Sequence, residues 1–292
     1  MKNRMLASAL AALFALPIAA HAASTRTHVS NSGSDANAAF SCDAAHPCRT
    51  FATALSVTTP GGEILAIDSS GFGKVVIDRS VSIVAAPGVY AGIGVGAGGN
   101  ATGVEIATPG VNVVLRGLTI TGQGGDYGVY MANGAMLSIE NCVISNFASN
   151  PQAGVAVTAA AEVRITDSLL RGNHYGLYFS NGATGSVART QVYGGGGAIV
   201  AITGTPSTTT TVAVSQVVVS GADIGIISQA GNHATATTRI TLSKSLVTNN
   251  DLGISQYVGS AGATAIFESL GNNNVRQNTT NTSGTITTVA PI

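Results

Sequence analysis

The residues of this chain that could do chemistry are sparse, and they recur at similar intervals. Asp223 and Asp251 each stand two positions ahead of a Gly-Ile pair, and Asp126, Gln152, His174 and Gly196 hold the same place ahead of earlier small-aliphatic pairs. Two aspartates meeting there are a candidate cation site or acid pair. The competing reading is a turn, where an Asx side chain bonds to nearby backbone. Tyr130 and Tyr178 follow Gly128-Val129 and Gly176-Leu177 directly, with Ala156, Val200, Ile227 and Ser255 at the matching places. Tyrosines open on a flat sheet suit stacking on sugar rings, with Arg171 and His174 near enough to bond hydroxyls or carboxylates. The alternative is that a turn or the C-terminal tail covers them. Asp167 with Arg189, Lys244 with Glu268 and Arg116 with Glu140 place opposite charges on adjacent strands. Such pairs stabilise a sheet by roughly 0.2–1 kcal/mol each and read as a solvated, self-neutralising face.

What must position these residues is a repeat. The small-aliphatic pairs begin at Gly103, Gly128, Gly154, Gly176, Ala198, Gly225 and Gly253, in steps of 25, 26, 22, 22, 27 and 28 residues. Within each unit a second segment alternates apolar and polar residues, as in Val113, Leu115, Leu118 and Ile120, then Leu137, Ile139, Cys142 and Ile144. Period-two alternation means strands. Gly, Asn, Asp and Ser clusters between them, such as Gly122 to Asp126 and Asn249 to Asp251, mark turns. Units of two or three short strands cannot bury a face alone, but stacked about 4.8 Å apart they enclose a continuous apolar interior. The pattern is a parallel β-helix. Alternation then points Val129, Val155 and Leu177 inward and Tyr130 and Tyr178 outward, two rungs or roughly 10 Å apart.

Composition agrees. The 292 residues include 37 Gly but only 8 Pro, with 45% hydrophobic and 9% charged, which excludes collagen and argues against disorder. The 13 basic and 13 acidic residues cancel, so no electrostatic footprint for nucleic acid is present. Lys2 and Arg4 precede an apolar run from Met5 to Ala20, and Ala20-His21-Ala22 follows, so residues 1–22 read as an export signal cleaved after Ala22. The apolar run is short for a membrane span of roughly 20 residues. Without Lys2 and Arg4 the mature chain has 11 basic against 13 acidic residues, a net charge of −2, and no membrane span is expected in it. In an oxidising compartment Cys42 and Cys48 can close a short loop as a disulfide. A zinc site from Cys42, His46 and Cys48 is the rival, and it lacks a fourth ligand. Cys142, at an apolar repeat position, is expected to be a buried free thiol. Gly94 to Gly99 matches a dinucleotide-binding pattern by letter only, with no βαβ unit around it, and no cofactor is expected.

The repeats, together with His28 to Asn37, Pro47-Cys48-Arg49-Thr50-Phe51-Ala52-Thr53-Ala54-Leu55 and Pro60-Gly61-Gly62, resemble the secreted bacterial right-handed parallel β-helix, or pectin-lyase-like, superfamily. The resemblance implies a right-handed all-β solenoid of about nine coils. It also implies a short capping helix over Thr50 to Leu55 and a turn into the first rung at Pro60-Gly61-Gly62. The expected organisation is signal 1–22, cap segment 23–61, β-helix 62–285 and tail 286–292. The superfamily's enzymes carry Ca²⁺-binding acid clusters, Asp-Asp pairs or Asp-Pro-His stretches, and this sequence has none of these motifs. The reading is therefore a secreted or periplasmic surface for polysaccharide binding or adhesion. The alternative is a lyase, hydrolase or uronate epimerase with atypical active residues.

Overall fold

The computed structural model describes residues 23–231 and 235–290, so the expected export signal lies outside the described residues. One coil shows how the chain winds. Asn112–Arg116 runs along a first sheet, Leu118–Gln123 along a second and Tyr127–Met131 along a third; Met136–Glu140 then returns beside Asn112–Arg116 in parallel. Repetition gives three parallel sheets of 11, 9 and 9 strands, each coil stacked on the one before.

The anchor aliphatics form one internal column. Val104, Val129, Val155, Leu177, Ile199, Ile226 and Ile254 pair rung to rung, and none is more than 2% exposed. The small residue ahead of them has a steric cause. A Cβ on Gly128 would stand 2.5 Å from the carbonyl oxygen of Gly154, and one on Gly225 would stand 2.4 Å from that of Gly253. Ile254 pairs with Thr282 in the last coil, so the apolar column ends on a polar residue, as terminal repeats need.

The corner from the first to the second sheet is one left-handed residue. Gly117, Asn141, Asp167, Arg189, Gln216 and Lys244 occupy it, with φ between +48° and +73°. Each of the first five donates its N–H to a carbonyl of the next coil at 3.0–3.2 Å, which holds side chains other than Gly and Asn in this conformation. Two expected ion pairs form: Arg116 Nε to Glu140 Oε2 at 3.0 Å, and Arg189 to both oxygens of Asp167 at 2.7 and 2.8 Å. Lys244 does not meet Glu268. Leu242 pairs with Ser269, so Glu268 lies beside Thr241 and bonds Arg239 and Thr241.

At the N-terminal end Thr50 caps the helix Phe51–Ser56, its hydroxyl accepting from Thr53 N at 3.2 Å, and Phe51, Ala54 and Leu55 plug the interior. The segment 23–61 does more than cap, because Ser24–Val29 pairs with Thr58–Ala66 as the outermost strands of the first sheet. Pro60-Gly61-Gly62 is an irregularity within that strand, with Gly61 at φ +81°, rather than a turn before it. At the other end Ile286–Thr288, assigned to the tail, extends the first sheet beside Phe267 to Ser269. Cys42 and Cys48 are joined as a disulfide, so neither sulfur remains a thiolate for zinc, and His46 pairs with Asp43 instead. Cys142 is a free, buried thiol that burial pushes up to about 11.

Candidate functional site

Alternation fails at the entry to the third sheet, and that failure builds the site. Gly128 and Val129 both face the interior, so the outward register slips by one and Tyr127 and Tyr130 emerge on the same outer side. Their rings stack with centroids 4.9 Å apart at 23°. Two coils on, Tyr175-Gly176-Leu177-Tyr178 repeats the arrangement, with ring centroids 5.5 Å apart at 43°. Between the two pairs Ala153 and Ala156 hold the equivalent places, as Tyr127↔Ala153↔Tyr175 and Tyr130↔Ala156↔Tyr178.

These side chains line a groove of about 640 Å³ that crosses five successive strands of the third sheet. Beyond Tyr178 the floor continues through Gly197 and Val200 to Ile224 and Ile227. One rim is formed by Asn150, Pro151, His174, Gly196 and Asp223, and the other by Thr158, Ile202 and Gln229. Four steps of about 4.8 Å make the groove roughly 19 Å long, and three residues of about 3.3 Å between its two outward columns make it roughly 10 Å wide.

All four tyrosines are half-buried rather than open on a flat face. Burial, with the neighbouring phenols of Tyr175 and Tyr127, raises the Tyr178 pKa above its ordinary value. Burial followed by Tyr130 and Asp126 does the same for Tyr127. The Thr158 hydroxyl meets Tyr130 Oη at 3.4 Å. His174 packs edge-on against Tyr175 at 4.4 Å, and its ring lies over Gly196, where a Cβ would be 2.6 Å from Cε1. The missing side chain at Gly196 is what lets the imidazole lean along the rim toward Asp223.

Tyr130, Tyr178 and His174 are thus brought together. Arg171 is not. It lies in the second sheet between Ser145 and Tyr193, exposed and around the corner from the groove. Asp126 serves structure, accepting from Ala101 N at 2.9 Å and from Gln152 Nε2 at 3.3 Å. Asp223 and Asp251 are rung neighbours, Leu252 N donating to Asp223 O, and only Asp223 lines the groove. Among the described residues no three His, Cys, Asp or Glu side chains are grouped to hold a metal ion. Sequence reading missed Tyr127 and Tyr175, although the repeated Tyr-Gly-aliphatic-Tyr tetrapeptide was there to signal them.

A family model described as the right-handed beta helix region matches residues 102–282. Among solved structures, the crystal structure of pectate lyase Pel9A superposes with a TM-score of 0.58 at 13% identity, covering 92% of this chain and 78% of that one. A complex of XylC with xylose gives 0.58 at 9% identity, covering 85% and 67%. No curated protein sequence matches the chain. At such identities the two structures speak to the fold, and a shared fold does not carry an activity with it.

Proposed function

The chain belongs to the family of right-handed β-helix proteins, and from that premise we propose that its tyrosine-lined groove binds a neutral polysaccharide outside the cytoplasm. The observation that carries the reading is the pair of tyrosine doublets on one outer sheet face, two coils apart, with small alanines between. Aromatic rings offer the apolar C–H faces of a sugar a flat partner, and polar rims offer its hydroxyls hydrogen bonds. Neutrality follows from charge. Among the described residues no Lys or Arg lines the groove, and Asp223 stands on its rim, so a uronate polymer would bring carboxylates in with no cationic Lys or Arg to pair them. One fold neighbour is a pectate lyase and another was solved with xylose, which is in keeping with a carbohydrate ligand. The Cys42–Cys48 disulfide, and the export signal expected from the sequence of residues 1–22, support an extracytoplasmic site of action.

The test is a binding panel with the mature protein. Saturable binding to neutral hexasaccharides, with none to oligogalacturonate, is expected. Preference for the acidic series, or no binding to either, would refute the reading. Release of new reducing ends during the same incubation would convert it into a hydrolase, for which His174 and Asp223 are the titratable rim groups.

A further inference from the structure

The groove floor is corrugated. Along the outward column the residues run Tyr130, Ala156, Tyr178, Val200, Ile227, so a bulky side chain alternates with a smaller one coil by coil. The column three residues earlier runs in phase with it, with Gly197 at the trough beside Val200. The period is therefore two coils, or about 9.6 Å, close to the length of two sugar units in an extended chain.

Resting on the neutral-polysaccharide reading, we infer that the groove is built for an extended β-1,4-linked glycan lying along the solenoid axis, one sugar per coil. In such a chain each ring is turned over relative to the one before, so the same edge and the same substituent return every second sugar. That periodicity matches ridges recurring every second coil. The ribbon has apolar ring faces and hydroxyl-bearing edges. The groove has the complementary section, with an apolar floor between a rim carrying His174 and Asp223 and a rim carrying Thr158 and Gln229. Five rungs at one sugar per rung seat five sugars whose centres span roughly 19 Å, and a width of roughly 10 Å admits a single chain. An α-1,4-linked glucan curls into a helix. It would meet one ridge and leave the groove before reaching the next.

Titration calorimetry on the unaltered mature protein tests this with cello- and manno-oligosaccharides of two to six units, against maltohexaose. Affinity is expected to rise with length up to four or five units and then level off. The β-1,4 hexaoses are expected to bind at least tenfold more tightly than maltohexaose. Equal or tighter binding of maltohexaose, or a plateau already at two units, would overturn the inference while leaving a neutral-glycan site in place. Binding of none of the hexaoses would remove the reading on which the inference rests.

Discussion

Replacing Tyr178 with alanine separates the two duties of the groove tyrosines, because stability and affinity should both fall, by different and separable amounts. The ring is half-buried, and its centroid lies 5.5 Å from that of Tyr175. A fully buried tyrosine hides about 200 Å²; half of that, at about 25 cal/mol per Å², gives roughly 2.5 kcal/mol as an upper bound on the loss. Urea unfolding followed by circular dichroism should thus show Tyr178→Ala destabilised by about 1–2.5 kcal/mol, more than the ~0.5 kcal/mol typical of a surface site. Stacking on a sugar is worth about 0.5–1.5 kcal/mol, and about 1.4 kcal/mol is a tenfold change, so calorimetric affinity for a neutral hexasaccharide should drop roughly two- to tenfold. Tyr193→Ala is the control. That tyrosine is 37% exposed in the second sheet, bonded to Gln191, and lies outside the groove. Unchanged affinity in a folded Tyr178→Ala protein would refute the reasoning, and so would an equal loss in Tyr193→Ala.

Two further outcomes test the architecture beneath the groove. Gly128→Ala should cost about 1–3 kcal/mol by overpacking, since its Cβ would stand 2.5 Å from the Gly154 carbonyl oxygen; Gly96→Ala, with nothing within 4 Å, should be nearly neutral in the same denaturation assay. Cys142 should resist alkylation in the native protein, and intact mass should show two hydrogens fewer for the Cys42–Cys48 bond. Its raised pKa also predicts a pH effect. The fold keeps the Cys142 proton up to about 11, whereas an ordinary thiol loses it near 9.0, so this contribution to stability is complete below 9.0 and is lost as pH rises through 11. Cys142→Ala should show a shallower alkaline decline in urea midpoint than the parent. Identical declines would count against the burial assigned to the thiol.

The winding of the chain was readable because sterics repeat with it. Each anchor glycine marks a place where the next coil's carbonyl leaves no room for a Cβ, and each following Val, Leu or Ile fills the same column. The groove was half legible for a related reason. Strict alternation assigns Tyr130 and Tyr178 outward correctly, but it would turn Tyr127 and Tyr175 inward, because it does not allow two consecutive residues to face the core at Gly128-Val129 and Gly176-Leu177. Arg171 looks close to His174 in sequence, yet a corner separates them, and corners are set by left-handed residues and buried amides rather than by hydrophobic period. Asn173 is one such amide, accepting from Phe147 N at 3.1 Å and donating to Ile144 O at 3.1 Å. The misplacement of Glu268 has its own cause. In that coil Phe267 fills the Ile240 column, but the next inward position, opposite Leu242, is Ser269, so the second apolar residue that marks this segment in the earlier coils is missing.

The most direct test of the central claim is a crystal structure of the mature protein with cellohexaose or mannohexaose. The account predicts sugar density along the third sheet, with rings against the Tyr127/Tyr130 and Tyr175/Tyr178 pairs and hydroxyls reaching His174, Asp223, Thr158 or Gln229. Saccharide bound on the first or second sheet, with the tyrosine groove left empty, would contradict it.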